Sequence, residues 1–584
     1  MENLEMKRHS LAHIMAAAIK EIWPNAQLAI GPAIENGFYY DVDFFDVKIT
    51  EADLRQIEKK MSHLIKQNLP FVKEEKDIVS AIAAAKAEGS IYKQEILEDL
   101  QKEGETKVSY YTVSSFTDLC RGPHIESTIK IKPGSFKLQR LAGAYWRGDE
   151  KNKMLTRIYG LAFENKEELD NYLNLVAEAE KRDHRKLGKE LDLFCFSDLV
   201  GPGLPLFTPK GMVIIDELRN HIETVCRRYG FEKVMTPHLA KIDLYELSGH
   251  AKKFSDELFH VTSDKGHQMV MKPVQCPHQT QIYASRVRSY RDLPIKYMES
   301  EKQYRAEKSG EVGGLSRVYA ITVEDGHTFC RTDQVKEELK DLVNIIKDFY
   351  SALGLWGRHW VSLSVRDYEH PEKYIGETAD WDLCEKMLQE VSDEMGLNAK
   401  RQEGEAALYG PKLDFMFRDS LGKEIQIPTV QVDFATPKRF NLTYTDKDGT
   451  EKNPVMVHRA ILGSYERFLA LIIEHFAGAF PLWLSPVQVK IISVSETHID
   501  YCQKLANEFK ENNIRVEIDT NNETVGNKIR KAVNEKSPYM LVIGDKEMNS
   551  EMLSIRDRGQ QESREISKQD FINELKEKIE NKSL

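Results

Sequence analysis

The sequence predicts a multidomain protein of mixed α+β and α/β class, on three observations. Its 584 residues correspond to about three or four domains of ordinary size. Residues 191–483 contain consecutive strand-like runs, which favour an antiparallel sheet over the alternating βαβ pattern of a dinucleotide-binding fold. After residue 484, strand-like and helical segments alternate regularly, which indicates a small α/β domain with a parallel or mixed sheet.

The N-terminal third predicts a separate α+β domain over residues 1–165. An early helix, the strand-like pieces FYYDVDF and SYYTVSSF, and an Ala-rich helix follow one another there. Residues 166–190 are helical in pattern and highly charged, with no clear apolar face, which predicts a connecting helix. The predicted domains are therefore residues 1–165, 191–483 and 484–584, with the connecting helix between the first two.

Composition excludes several classes of protein. No apolar run reaches the ~18 residues of a membrane-spanning helix, and the N-terminus lacks a secretory pattern. Seven cysteines without a CxxC pair do not form a disulfide framework, so we expect a cytoplasmic protein. The net charge of −11 argues only weakly against a nucleic-acid partner, because such binding requires only a local basic surface.

Three soft metal ligands stand out in the middle of the chain: Cys276 in MKPVQCPH, His327 in VEDGHTFC and His458 in MVHRAILG. They are too far apart in sequence to form a zinc-finger pattern. If they converge, a cysteine and two histidines leave tetrahedral Zn²⁺ with an open position, as in a catalytic site. The alternative is a buried cysteine and two hydrogen-bonded core histidines.

Arginines supply a second candidate site. Arg305 and Glu307 in YRAEKSGEVGGLSRV are predicted on one strand with the same facing, and Arg317 on the returning strand. Arg467 lies in GSYERF on a predicted helix. Fixed guanidinium groups on a sheet suit the oxygens of a triphosphate. The alternative interpretation is a set of surface ion pairs.

Two further pairs of potential ligands lie in the N-terminal domain. His9 and His13 are four residues apart, so both project from one face of a helix. Cys120 and His124, in DLCRGPH, add two further potential ligands. Together they indicate either a second zinc, as in a zinc hydrolase, or a polar hydrolytic pocket without metal.

Three motifs resemble, in order, the signature motifs of class II aminoacyl-tRNA synthetases: MTPHL, YRAE…LSRV and GSYERF. The wider strings HRKLGKELDLF, VMKPVQCP, ALYGPKLDF, TVQVDF and VMVHRAILGSYERF are similar to the threonyl-tRNA synthetase family. The resemblance runs from about Lys7 to the C-terminus. It implies a class II antiparallel-sheet catalytic domain, an N-terminal editing domain and a C-terminal anticodon-binding domain. We expect a form that lacks the small ubiquitin-like N-terminal domain.

The resemblance implies ATP-dependent ligation of L-threonine to tRNA(Thr) through threonyl-adenylate. One Zn²⁺ per subunit would be held by Cys276, His327 and His458, with threonine's amino and hydroxyl groups at its open position, and ATP would bind with Mg²⁺. Residues matching the family's ATP contacts are Arg305, Arg317 and Arg467, with Glu307 near the adenine. Those matching the substrate and nucleotide pocket are Asp325, Tyr409, Lys412, Gln426 and Gln431.

The same resemblance implies hydrolysis of mischarged seryl-tRNA(Thr) in a pocket that works without metal. Residues matching that pocket are His9, His13, Lys93, Asp118, Cys120 and His124, with Tyr39 or its neighbour Tyr40. Residues matching the family's anticodon contacts are Asn522, Glu547 and Arg556. A homodimer is expected, because the class II motif that ends at Pro237 usually forms the subunit interface.

The chain departs from the family pattern in the predicted nucleotide site. Ile321 stands where class II enzymes usually place an aromatic residue beneath the adenine, and Val323 where the family commonly has a polar residue. The stretch QCPHQ also differs from the family's usual string. These departures motivate an alternative hypothesis, a paralogue that retains only tRNA binding or editing.

Overall fold

The computed structural model describes residues 2–308, 310–419 and 422–584. The chain divides into two compact units, one ending at Ala177 and the other beginning at Glu178. None of the described helices combines the length and apolar character needed to cross a bilayer.

The N-terminal unit is an α+β structure built on two antiparallel sheets. Its strands are β1 (Gln27–Leu28), β2 (Ala33–Ile34), β3 (Gly37–Asp43), β4 (Val72–Asp77), β5 (Lys107–Val113), β6 (Phe116–Leu119), β7 (Phe136–Tyr145) and β8 (Met154–Ala162). Its helices are α1 (Glu2–Ile22), α2 (Glu51–Lys66), α3 (Ile78–Ala87) and α4 (Ile91–Lys102). The five-stranded sheet has the order β1-β3-β8-β7, with β2 added to β3, and the three-stranded sheet has the order β4-β5-β6.

Helix α1 forms the centre of this unit. Every residue from Ser10 to Ile19 is buried, which is the pattern of a helix apolar on all sides and enclosed by its neighbours. Four alanines in this stretch allow the flanking elements to approach closely. The helix therefore carries His9 and His13 into the interior of the unit.

The predicted connecting helix over residues 166–190 is interrupted. The structure has α5 (Lys166–Arg182) and α6 (His184–Glu190) in its place. Asp183 adopts non-helical backbone angles, and its carboxylate accepts a hydrogen bond from the Arg185 amide, as an N-cap residue does. Helix α6 also has a buried face, formed by His184, Leu187 and Gly188, so the prediction of a helix without such a face was wrong for this segment.

The second unit contains an eight-stranded sheet of order β11-β15-β16-β23-β20-β19-β17-β18. The strands before the C-terminal segment are β9 (Phe194–Cys195), β10 (Leu206–Phe207), β11 (Glu232–Lys233), β12 (Leu239–Ala240), β13 (His260–Thr262), β14 (Gln268–Met271), β15 (Ile295–Tyr304), β16 (Ala320–Cys330), β17 (Trp360–Val365), β18 (Lys400–Glu403), β19 (Lys412–Arg418), β20 (Glu424–Asp433), β21 (Tyr444–Thr445), β22 (Glu451–Lys452) and β23 (Val455–Ser464). The six inner strands β15, β16, β23, β20, β19 and β17 pair antiparallel as predicted, whereas the edge strands β11 and β18 pair parallel to their neighbours.

Helices pack against this sheet and bury a large apolar core. They are α7 (Pro209–Arg228), α8 (Ile242–Ser248), α9 (His250–Lys253), α10 (Cys276–Ala284), α11 (Val335–Ser351), α12 (Thr378–Glu394), α13 (Ala435–Arg439) and α14 (Tyr465–Phe476). The core between α7, α11, α14 and the sheet includes Leu218, Leu339 and Leu469, all fully buried. Helix α14 packs against β16 and β23 at the centre of the sheet, and α11 also packs against β23.

The strand positions predicted for three residues were wrong. Strand β15 ends at Tyr304, so Arg305 and Glu307 lie beyond it, and β16 begins at Ala320, so Arg317 precedes it. The ladder stops because the chain between them folds into a tight turn, in which the Gly313 amide donates to the Arg317 carbonyl at 3.1 Å.

A buried histidine in α7 gives the core of the second unit a pH dependence. His221 is 7% exposed and stacks on Phe349. Burial, aided by the charges of Lys582 and Arg228, lowers its pKa to about 3. Below pH ~6.5 the unfolded chain binds a proton that the folded chain does not, so stability is highest above pH ~6.5 and falls as pH decreases towards 3.

We expect this single group to cost about 2 kcal/mol of unfolding free energy at pH 5 relative to pH 7. The His221→Leu variant should lose that part of the dependence, which urea unfolding of the second unit at the two pH values measures. His267→Leu, in an exposed turn, is the matched control. An unchanged difference between the two pH values in His221→Leu would contradict the prediction.

The C-terminal segment of the second unit forms its own five-stranded sheet, of order β25-β24-β26-β27-β28. Its strands are β24 (Val489–Ser493), β25 (Val516–Asp519), β26 (Tyr539–Ile543), β27 (Met552–Asp557) and β28 (Arg564–Ser567), and its helices are α15 (Ile499–Glu511), α16 (Val525–Asn534), α17 (Asp545–Met548) and α18 (Lys568–Glu580). The first three strands in chain order are parallel and the last two antiparallel. The predicted α/β domain therefore has a mixed sheet.

Candidate active sites

Cys276, His327 and His458 converge in the second unit. His327 on β16 and His458 on β23 are direct cross-strand partners, and Cys276 is the first residue of α10. Their candidate ligand atoms all lie within 4.8 Å of one another, and all three residues are buried. Zinc bonds of about 2.3 Å to sulfur and about 2.0 Å to nitrogen place ligand atoms about 3.5 Å apart. The three groups thus need to move by only about 1 Å to share a metal ion.

Each histidine is oriented by a second polar group. His327 Nδ1 lies 2.8 Å from Gln279 Oε1, and His458 Nε2 lies 3.0 Å from Asp433 Oδ2. These contacts leave Nε2 of His327 and Nδ1 of His458 for a metal ion. Metal-bound histidines almost always donate their other N–H to a carboxylate or carbonyl oxygen in this way. The donor set and its supports therefore fit Zn²⁺.

Burial sets the protonation states at this centre. It lowers the pKa of His327 well below the usual value, so the neutral, ligating form of the imidazole is favoured. Burial also raises the pKa of the Cys276 thiol. Asp325, two residues before His327 on β16, has its pKa raised to about 7 by burial. A bound cation would favour the charged forms of the cysteine and the aspartate.

The predicted pocket residues surround this centre. The Tyr409 ring stacks on the His458 ring at 4.6 Å, and its hydroxyl donates to Gln431 Oε1 at 2.6 Å. Gln431 is the cross-strand neighbour of His458. Tyr409 and Gln431 therefore adjoin His458, one through its ring and the other across the strand pair.

Lys412 and Gln426 meet on one buried carboxylate. Lys412 Nζ donates to Asp414 Oδ2 at 2.6 Å, and Gln426 Nε2 donates to Asp414 Oδ1 at 2.7 Å. Asp414 is 3% exposed. It holds both side chains in fixed positions on neighbouring strands, a role that sequence reasoning missed.

The candidate nucleotide residues lie around the turn between β15 and β16. Arg317 Nε donates to Glu307 Oε2 at 2.7 Å, and Arg317 also pairs with Glu311 at 2.9 Å. Burial lowers the pKa of Arg467, and the positive charge of Arg317 lowers it further. The positive charges of Arg317 and Arg467 thus act on one another, and a polyanion that bound both would relieve that repulsion.

Ile321 and Val323 both lie on β16, half-buried, and their cross-strand partners on β15 are Gln303 and Glu301. Being two residues apart on one strand, they share a face of the sheet with Asp325. The two departures from the family pattern therefore line the surface that continues from the metal-ligand cluster.

The N-terminal unit holds a second cluster, beside a cavity of about 630 Å³. Cys120 Sγ lies 3.2 Å from His9 Nε2 and 3.1 Å from His124 Nε2. The predicted residues that line the cavity are His9, His13, Lys93, Asp118 and Cys120, together with Tyr40. His124 lies behind them, stacked on Phe71.

An ion pair forms the opposite wall of this cavity. Lys93 Nζ on α4 lies 2.7 Å from Asp118 Oδ1 on β6, and the Tyr40 hydroxyl donates to the other Asp118 oxygen. Tyr39 instead faces the Arg157 guanidinium, 3.9 Å from the ring centre. Tyr40 is thus the tyrosine that belongs to the cavity.

Burial favours the neutral form of the histidines in this cluster. Burial lowers the pKa of His13 to about 4 and also lowers that of His9. Burial and the neighbouring imidazoles lower the pKa of His124 to about 2. A neutral imidazole can accept a proton, and a lowered pKa makes it a weaker base; of the three histidines, His9 and His13 line the cavity.

The candidate anticodon residues lie at two places around the C-terminal sheet. Asn522 and Glu547 follow the carboxyl ends of the parallel strands β25 and β26, and these ends share one edge of the sheet. Arg556 is opposite Met540, near the other end of β26. Glu547 also caps α17 by accepting from the Gly544 amide at 3.0 Å.

Three family models match the chain. Residues 259–476 match the tRNA synthetase class II core domain (G, H, P, S and T), residues 488–578 the anticodon binding domain, and residues 108–159 the threonyl and alanyl tRNA synthetase second additional domain. A threonine–tRNA ligase of Geobacillus sp. (strain WCH70) is 46% identical over 99% of this chain and 89% of its own length. Those of Gloeobacter violaceus and Thermotoga maritima are 44% and 43% identical over 99% of this chain, and over 93% and 89% of their own lengths.

The chain belongs to the threonine–tRNA ligase family. It is therefore an aminoacyl-tRNA synthetase of class II, with the editing-type domain shared by threonyl and alanyl enzymes. The RNA binding domain of threonyl-tRNA synthetase from Cryptosporidium parvum is a similar solved structure, 32% identical, with a TM-score of 0.64 over 68% of this chain and 98% of that one. A prolyl-tRNA synthetase of the same organism, 16% identical with a TM-score of 0.51 over 68% of this chain and 76% of that one, shares the fold alone.

Several residues of this threonine–tRNA ligase family member were missed from the sequence. Gln279 and Asp433 orient the candidate zinc ligands, and Lys107 and Arg121 add positive charge to the cavity of the N-terminal unit. Two of them carried a usable signal. Gln279 is one helical turn after Cys276, and Arg121 directly follows Cys120 in the DLCRGPH string.

Proposed function

We propose that this chain activates L-threonine with ATP as threonyl-adenylate, transfers it to tRNA(Thr), and hydrolyses seryl-tRNA(Thr) in its N-terminal unit. The observation that carries the proposal is the convergence of Cys276, His327 and His458 beside Asp325 and Tyr409. Zn²⁺ held by the three ligands would supply a Lewis acid whose open position accepts a hydroxyl group that valine lacks. An apolar pocket alone separates such isosteres by only about 10²-fold.

The chain's own residues account for the adenylation step in this proposal. Asp325 would accept the hydrogen bond of the threonine hydroxyl, and Gln431, fixed by Tyr409, would orient the amino acid. Arg305, Arg317 and Arg467 would stabilise negative charge on the phosphorus as the threonine carboxylate attacks and pyrophosphate leaves. Glu307, which accepts a hydrogen bond from Arg317, would lie near the adenine. ATP would bring Mg²⁺ with it.

An editing activity is needed because the zinc site would not exclude serine. Serine offers the same amino and hydroxyl groups as threonine and lacks one methyl, which is worth only ~1–3 kcal/mol of discrimination. In the N-terminal cavity, His9 would position or deprotonate water, and Lys93 would stabilise the oxyanion of the ester. The position of His9 in the cavity wall, within 3.2 Å of Cys120 Sγ, supports the first role.

Further parts of the proposal concern tRNA and assembly. Asn522, Glu547 and Arg556 would contact anticodon bases, which asparagine and arginine side chains suit through edge hydrogen bonds. A homodimer through the segment ending at Pro237 is supported by Met235, an apolar side chain that is 81% exposed in the single chain. We place the enzyme in the cytoplasm.

The first test is ATP–pyrophosphate exchange with threonine, serine and valine, with and without a zinc chelator. We expect exchange with threonine, weaker exchange with serine, none with valine, and loss of all exchange after zinc removal. Valine is rejected because it has no hydroxyl group for the metal, and serine is accepted because one missing methyl group is discriminated only weakly. No exchange by folded, zinc-loaded protein would contradict the proposal. It would favour the alternative, a paralogue confined to tRNA binding or editing, with Ile321 and Val323 as the cause.

A further inference from the structure

We infer that His184 positions the ATP-binding turn of the catalytic site, an inference that rests on the proposed function. His184 begins α6 in the string HRKLGKELDLF, and the proposed chemistry gives that string no role. Its side chain is 7% exposed. It lies between two elements that carry the candidate phosphate-binding arginines.

Both ring nitrogens of His184 have partners. The backbone N–H of Leu315 points at Nε2 at 3.2 Å, and Nδ1 lies 2.8 Å from Glu474 Oε1. A backbone N–H can only donate, so Nε2 must be an acceptor and the proton resides on Nδ1. His184 is therefore a neutral bridge that accepts from a loop and donates to a helix.

The loop partner belongs to the turn that carries Arg317. The Gly313 amide donates to the Arg317 carbonyl at 3.1 Å, and Leu315 between them is fully buried. On the other side of Arg317, the Tyr319 amide donates to the Gly203 carbonyl at 3.1 Å. The turn is thus fixed on both sides of the arginine, and His184 provides one of the two attachments.

Gly314 shows how closely the imidazole approaches the turn. Its φ of +52° lies in the left-handed region, and a Cβ at this position would lie 2.3 Å from His184 Nε2. A side chain would therefore be strained and would also displace the imidazole. The glycine and the histidine fit as a pair.

The helix partner links the same histidine to the second arginine. Glu474 lies near the end of α14, and Arg467 lies two turns earlier on that helix, about 10 Å along its axis. His184 thereby holds the Arg317 turn in a fixed position relative to the helix that carries Arg467. Because two guanidinium groups must meet one triphosphate, a shift of the turn by about 1 Å is enough to weaken ATP binding.

Two amide variants separate the two hydrogen bonds. In His184→Asn the amide replaces Nδ1, which keeps the bond to Glu474 and loses the acceptor for Leu315. In His184→Gln the carbonyl replaces Nε2, which keeps the acceptor and loses the bond to Glu474. We expect His184→Asn to raise the KM for ATP about tenfold, the effect of leaving a buried donor unpaired, and His184→Gln to stay closer to the wild type. The KM for threonine should change less than about twofold in both.

Threonine-dependent pyrophosphate exchange by the zinc-loaded full chain measures both constants, and thermal unfolding checks that the variants fold equally well. Gly314→Ala is the second variant, and it should reproduce the higher KM for ATP. An unchanged KM for ATP in His184→Asn and Gly314→Ala, or equal increases in the Asn and Gln variants, would overturn the inference. If the wild type shows no exchange, the proposed function fails, and calorimetric affinities for ATP in the same variants then decide the inference separately.

Discussion

Replacing Cys276 with serine should abolish threonine activation. The serine hydroxyl is a poor ligand for Zn²⁺, and His327 and His458 alone leave the ion incompletely held. We expect threonine-dependent pyrophosphate exchange to fall by at least about 10²–10³-fold, the loss that follows removal of a key contact to the reacting groups. Metal analysis of the purified chain should give one zinc in the wild type and none in the variant.

Cys120→Ser is the matched control, because it also removes a thiol held between two histidines, in the other unit of the chain. It should keep both the zinc and the exchange activity. If the Cys120→Ser variant lacks zinc and the Cys276→Ser variant retains it, the assignment of zinc to Cys276 is wrong. That result would favour a metal-dependent hydrolase in the N-terminal unit.

The structure also predicts a smaller effect for a residue that supports a zinc ligand without binding the metal itself. Gln279 orients His327 from outside the ligand set, and removal of such an outer contact weakens metal binding by about 10–100-fold. Gln279→Leu should therefore retain zinc at high concentration and lose it to a competing chelator before the wild type does. A variant that binds zinc as tightly as the wild type would show that Gln279 has only a packing role.

The sequence identified the candidate ligand residues but not the side chains that support them. Cysteine and histidine at positions 276, 327 and 458 could be identified from residue type and from resemblance to a family. The helical spacing of Gln279 from Cys276 placed both side chains near one another, but the support of His458 by Asp433 depends on tertiary packing that no local pattern encodes. The cross-strand pairing of His327 with His458 likewise depends on the register of two distant strands.

Local rules failed where tertiary structure interrupted a regular pattern. The alternating pattern of the sequence continues through Arg305 and Glu307, but strand pairing ends at Tyr304 because the chain then enters the turn at Gly313. The charged helical pattern of residues 166–190 concealed a break at Asp183. That break had a readable signal, because aspartate before a helical run is a common N-cap. In β3, by contrast, alternation implied that only one of two adjacent tyrosines could face the cavity.

Replacing His9 with alanine should let mischarged tRNA accumulate while threonine activation continues. His9 lines the cavity in contact with Cys120, and burial lowers its pKa and so favours the neutral imidazole, the form that can take a proton from water. Loss of a general base costs about 10²–10⁴-fold in rate. Deacylation of preformed seryl-tRNA(Thr) measures the effect directly, with threonyl-tRNA(Thr) as the reference substrate.

The adjacent tyrosines offer a control for this experiment. Tyr40→Phe removes the hydroxyl bonded to Asp118 and should slow deacylation, whereas Tyr39→Phe changes a ring that packs against Arg157 outside the cavity and should not. If His9→Ala deacylates seryl-tRNA(Thr) as fast as the wild type, the base is not His9. The water would then be oriented by the Lys93–Asp118 pair and the tRNA itself, and the neutral histidines would serve only to shape the pocket.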